Sequence, residues 1–164
     1  MTFPPAATIC LPPRLPKDAG EIWVCATHTH SGMGNYDPNL LAQIAGTGKY
    51  KPAARQAVLD AILKAQKRAA AMLAPRSLVE AKGQVQTVDR SRSGDVPDAE
   101  AVRLSFQADG GAPIELVHFA AHATTVHRPA LALDADFPAR IEGPNSVFFQ
   151  GAEGNVGPPC SDPT

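Results

Sequence analysis

The chain has little that would staple or anchor it. Among its 164 residues there are only three cysteines, Cys10, Cys25 and Cys160, and they lie far apart. An odd number without short-range pairing excludes a disulfide framework and a cysteine-based zinc site. Cys25 falls in an apolar run and reads as a small core residue. No apolar run approaches the ~18 residues that a membrane-spanning helix needs. The opening Met1-Thr2-Phe3-Pro4-Pro5 has no basic region leading into an apolar stretch, so it does not read as a secretory signal. Excess charge is also missing: 15 Lys and Arg against 16 Asp and Glu give a formal net charge of -1. That balance excludes the electrostatic footprint of a nucleic-acid partner or an anionic membrane surface. The basic residues between Lys64 and Arg76 fall on a predicted helix and read as its solvated face. No internal repeat is present.

What is present is an ordinary globular composition, 44% hydrophobic and 19% charged, of a length that fits one domain. Prolines number 16 and gather at both ends. They divide the chain into a proline-rich segment 1–20, a folded region 21–159 and a short tail 160–164, because proline lacks a backbone donor and fixes its own φ. Glu21 to Thr27 is apolar and β-branched at both alternating positions, which predicts a strand buried on both faces. Asp37-Pro38 predicts the start of a short helix, running through Ile44 and ending at Gly46. A long helix is expected over about 52–73. Val58, Leu59, Ile62, Leu63, Ala65, Ala69 and Met72 form its apolar stripe, and the alanines suit close contact with a sheet. Strands are expected at Leu78–Val85, Val102–Phe106 and Ile114–Ala121, the last two forming a hairpin around Asp109-Gly110-Gly111. Asp136-Phe137-Pro138 opens another short helix, and Ser146–Gln150 reads as a strand. The fold class is α/β, a layered mixed sheet with flanking helices.

Three segments could carry chemistry. The first is Thr27-His28-Thr29-His30-Ser31-Gly32, straight off the first predicted strand. Alternation puts both imidazoles on one side, aimed into one cleft. Zinc takes neutral imidazole nitrogens at ~2.0–2.1 Å, so the pair is a partial ligand set. Equally, one ring binds metal and the other binds substrate or moves a proton. Two polar residues at a strand-to-loop junction are the plainer reading. The glycines of Ser31-Gly32-Met33-Gly34 suit close backbone approach to a ligand. The second segment is His118-Phe119-Ala120-Ala121-His122, where His122 ends an apolar strand as a ligand would. His118, inside that strand, reads as a hydrogen-bonded core residue, and His127 as a surface residue. The third is the loop Gln150-Gly151-Ala152-Glu153-Gly154-Asn155-Val156-Gly157-Pro158. Its glycines could place backbone N–H groups around an anion or oxyanion. Tight turns produce the same composition.

Taken in order, Thr27–Gly32, Asp89-Arg90-Ser91-Arg92-Ser93, Phe119–Thr124 and Phe149–Val156 resemble the neutral/alkaline non-lysosomal ceramidases, over about Glu21 to Pro159. The resemblance implies a zinc-dependent amidohydrolase that cleaves the N-acyl bond of ceramide or a related lipid amide. It implies that His28 and His122 are zinc ligands, that His30 and Arg90 are catalytic, and that Gly154, Asn155 and Gly157 belong to a substrate or oxyanion loop. Where the family has its nucleophilic serine this chain has Gly157, and Met33 replaces a usual proline. The family's other two zinc ligands, a glutamate and a tyrosine, fall beyond this sequence, so the chain reads as part of the domain. The alternative is a non-catalytic domain of the same fold that keeps a binding cleft.

Overall fold

The computed structural model describes residues 23–85, 90–91, 94, 96, 98–126 and 133–158. Its centre is a four-stranded mixed sheet. β1 (Ser77–Gln84), β3 (Glu100–Gln107), β4 (Ile114–Phe119) and β5 (Ser146–Gln150) lie side by side in that order. The pair β1–β3 is antiparallel, with Ser77 opposite Gln107 and Gln84 opposite Glu100. β3 turns into β4 as the expected antiparallel hairpin, with Phe106 opposite Ile114 and Val102 opposite His118. β4 and β5 are parallel, with Glu115 beside Ser146 and Phe119 beside Gln150. A parallel pair needs a long crossover. Here it runs from Ala120 to Asn145 and contains the short helix α3 (Pro138–Ile141). A two-stranded ladder of β2 (Arg90–Ser91) and β6 (Val156–Gly157) completes the sheet structure.

The core sits where β4 and β5 end. Phe119, Ala121, Phe148 and Val156 are its buried members, with Phe137 and Ile141 packed against them. Phe137 meets Phe148 edge to face at 5.4 Å between ring centroids, a favoured aromatic geometry. Small residues let the chain turn tightly here. A Cβ on Gly151 would stand 2.9 Å from the Ala120 Cβ and 3.0 Å from its Cα. Gly151 N–H donates to the Phe119 carbonyl at 2.8 Å across that contact.

The long helix α2 (Pro52–Ala71) starts at proline as expected and stops two residues short of the expected end. Val58, Leu59, Ile62 and Leu63 are half-buried, but Ala65, Ala69 and Met72 are exposed and no residue of α2 is buried. The close contact with a sheet inferred from its alanines is therefore not made. Alanine favours helix through its low entropy cost whether or not it is packed. The helix before it is also shifted. Asp37 does not cap it; its carboxylate accepts from Asn39 N–H, and Asn39 in turn caps α1 (Leu40–Ala42) through Leu41 N–H. A π-helical turn, Gln43–Thr47, follows and breaks at Gly46, where φ is 152°.

One expectation fails outright. Trp23 to Thr29 is not a strand, and it is not buried: Trp23 is 71% and Val24 41% exposed. Cys25 is exposed rather than a core residue. Apolar β-branched residues supply propensity, but a strand also needs a partner edge. This segment bends instead, and His28 adopts φ 58°. His118 is half-buried within β4. His127, the segment 1–20 and the tail 160–164 lie outside the described residues.

Candidate metal centre

Three imidazoles converge where the parallel strand pair ends. His122 follows β4, and in open α/β sheets such carboxyl ends are where ligand crevices form. It is buried, and its position is doubly fixed. The backbone N–H of His122 donates to the Val156 carbonyl at 3.1 Å, and its ring Nδ1 lies 2.9 Å from the same oxygen. A carbonyl oxygen only accepts, so Nδ1 carries the proton and Nε2 keeps its lone pair. His28 and His30 come from the bent loop on the opposite side. Ring centroids of His28 and His122 are 4.7 Å apart, of His28 and His30 5.0 Å, and of His30 and His122 5.9 Å. One ring nitrogen from each of the three lies within 4.8 Å of the others.

The loop that presents His28 and His30 is tied down by Asp134-Ala135-Asp136, a segment in which the sequence pattern marked only Asp136, and only as the start of a short helix. The Thr29 hydroxyl donates to the Asp134 carbonyl at 2.7 Å, and Asp134 N–H donates to the Ser31 carbonyl at 3.0 Å. Ser31 N–H closes onto the Thr29 hydroxyl at 3.2 Å. Asp136 holds the other side. Its carboxylate accepts from the Thr125 hydroxyl, from Val126 N–H at 2.9 Å and from Phe137 N–H at 2.6 Å. It is 5% exposed and sits at φ 60°. Burial pushes the Asp136 carboxyl up. The hydrogen bonds from Thr125, Val126 and Phe137 outweigh it and hold the group below its ordinary value. Asp134 and Asp136 thus join the loop that carries His28 and His30 to the loop that follows His122.

The glycine-rich loop closes the third side. Val156 N–H donates back to the Glu153 carbonyl at 2.8 Å, so Gly154 and Asn155 form the tip of a tight turn. Glu153, another residue not singled out from the sequence, places its carboxylate 3.3 Å from His28 Nδ1. The backbone ladder sets Arg90 opposite Gly157. Two positions 67 residues apart in sequence are thereby neighbours on the ladder. In front of His28 and His30 opens a cleft of about 660 Å³ that also has Cys25, Met33, Tyr36 and Thr47 in its walls.

The donor set suits a borderline-soft divalent metal. Ligand atoms sharing one zinc at ~2.0–2.1 Å stand roughly 3.4 Å apart in a tetrahedron. Nitrogens within 4.8 Å of one another would need to close by up to about 1.4 Å to share one ion. His122 already has the outer hydrogen bond typical of a metal-bound imidazole.

Comparison with known proteins shows the family and the fold. The sequence profile described as neutral/alkaline non-lysosomal ceramidase, N-terminal, matches residues 18–136. The chain belongs to this ceramidase family. The neutral ceramidase of Pseudomonas aeruginosa is 30% identical over 76 residues, which is 46% of this chain and 11% of that protein. A solved ceramidase complexed with C2 superposes with a TM-score of 0.72 at 23% identity, covering 85% of this chain and 26% of its own. The crystal structure of the Pseudomonas aeruginosa neutral ceramidase gives 0.70 at 23% identity, covering 82% and 25%. The chain therefore has the ceramidase fold and spans about a quarter of the length of these solved relatives.

Proposed function

We propose that this chain carries the histidine part of a zinc-dependent amidohydrolase site acting on the N-acyl bond of ceramide or a related lipid amide. The observation that supports this most is the convergence of His28, His30 and His122 at the end of β4, in a chain of the ceramidase family. In this reading His28 and His122, whose rings are nearest each other, hold the ion. Bound zinc supplies Lewis acidity toward the amide carbonyl and makes water a stronger acid. His30 carries a proton on its ring to the departing nitrogen, the work of a general acid. Arg90, on the strand beside Gly157, holds a substrate hydroxyl or the developing oxyanion through its guanidinium. Gly157 has no side chain to attack with, so water is the nucleophile. It adds to the carbonyl carbon as His30 takes its proton, the C–N bond breaks as His30 delivers that proton to the nitrogen, and a carboxylate and an amine leave. Met33 and Tyr36 give the cleft beside His28 and His30 apolar wall for an acyl chain.

Hydrolysis of a fluorogenic N-acyl sphingoid substrate tests the reading, with and without added zinc and chelator. Slow release that disappears on chelation and in His122→Ala is expected. Release that survives chelation would overturn the metal-based reading. Absence of release at every zinc concentration would favour the second reading, a non-catalytic domain with a residual cleft, for which Gly157 at the serine position is the supporting observation.

A further inference from the structure

The glycine-rich loop reads from sequence as a cradle for an oxyanion, yet it faces the histidines with acceptors. Val156 N–H is spent within the turn, on the Glu153 carbonyl. What the loop offers outward is the Val156 carbonyl, 2.9 Å from His122 Nδ1, and the Glu153 carboxylate, 3.3 Å from His28 Nδ1. Both groups meet the same ring atom, Nδ1, of two histidines from different parts of the fold. Both therefore favour the tautomer that leaves Nε2 unprotonated. The Glu153 side chain is only 16% exposed, so the carboxylate end of this contact is largely removed from water. His28 needs such a partner more than His122 does. Its side chain is 44% exposed, and it sits at a left-handed backbone angle on a bent loop rather than at a strand end.

We propose that Glu153 is a positioning residue for the metal centre. Its carboxylate accepts the Nδ1–H of His28 and aims Nε2 at the ion, while the Val156 carbonyl does the same for His122. The loop 151–157 is then the outer support of two ligand rings. Glu153 is not part of the group of ring nitrogens that His28, His30 and His122 bring together; its carboxylate meets His28 at Nδ1, which leaves Nε2 as the nitrogen offered to an ion in this proposal. A carboxylate behind a metal-bound imidazole raises its basicity and fixes its orientation, and losing such a partner typically weakens metal binding ~10–100-fold. The inference rests on the metal reading proposed above.

The test is zinc affinity, measured by competition with a chromophoric chelator at one fixed pH, for the parent chain and for Glu153→Ala, Glu153→Gln and Glu153→Asp. Glu153→Ala should bind zinc about 10–100-fold more weakly. Glu153→Gln keeps the shape and one acceptor oxygen, so it should recover part of the loss. Glu153→Asp is too short to reach His28 and should resemble Ala. In the metal-free proteins, ¹⁵N shifts of the His28 ring should report the Nδ1–H form in the parent and a shift toward Nε2–H in Glu153→Ala. His122 should be unchanged in every variant, which also shows that the fold is intact. Affinity within twofold of the parent in both Glu153→Ala and Glu153→Gln would overturn the positioning role. A loss above about 1000-fold would overturn it as well, by making Glu153 a ligand. If the parent itself binds no zinc, the metal reading fails and not this inference alone.

Discussion

Asp136 shows how a single side chain can set the geometry of a site it does not enter. Its carboxylate collects donors from Thr125, Val126 and Phe137, and Asp134 beside it collects the loop of Thr29 and Ser31. Removing the charge leaves buried N–H and O–H groups with poor partners, a loss of about 1–3 kcal/mol. Asp136→Asn should therefore lower the denaturation midpoint at neutral pH. The sign of its pH dependence follows from the carboxyl being held below the ordinary value of 3.8. Its contribution is fully present above the unfolded-state pKa of about 3.9 and is lost as pH falls through the lower folded value. Denaturation curves of parent and Asp136→Asn should thus differ at pH 7 and converge in strong acid. A constant difference across that range would contradict the carboxylate as its source. Little of this was visible in the sequence. His28 and His30 could be picked out as a His-x-His pair, although the strand expected before them does not form, and His122 as a histidine closing an apolar strand. Asp134 and Glu153 look like ordinary loop residues until the fold sets them beside Thr29 and His28, more than a hundred positions away, and Asp136 reads only as a helix start although its carboxylate binds the loop after His122.

At the scale of elements, local signals located most of what the chain builds. The long helix, the β3–β4 hairpin and β5 follow from apolar periodicity bounded by Pro and Asp-Gly-Gly, since those patterns report a preference that neighbouring residues share. The strand expected over Glu21–Thr27 misled because, in its described part from Trp23, its residues suit a strand that no partner edge among the described residues completes. The parallel alignment of β4 and β5 was not legible either, because pairing across a long crossover leaves no local trace. That pairing is what brings His122 and Glu153 to the same end of the sheet, and it depends on how closely Gly151 passes Ala120. Gly151→Ala should cost about 1–3 kcal/mol, because the new methyl meets the Ala120 backbone as well as its side chain. Thermal unfolding measures this directly. A variant as stable as the parent would show that the strand ends have room to separate.

For the whole molecule, the order of four short segments carried more information than any one of them, and it led to the family to which the chain belongs. The 76 residues aligned with the Pseudomonas aeruginosa relative are 11% of its length, and the chain spans about a quarter of the solved structures it superposes on. No helix among the described residues is long and apolar enough to cross a membrane. Within that compass the molecule concentrates its polar organisation at one end of the sheet. Two loops bound together by Asp134 and Asp136, and a third bearing Glu153 and Val156, enclose three imidazoles. This arrangement answers to one measurement above all others, the zinc content of the chain after purification with zinc and removal of loosely held ions. One zinc per chain in the parent, falling to none in His28→Ala and in His122→Ala, is the predicted result. No stoichiometric zinc in the parent, or zinc retained in both variants, would contradict it.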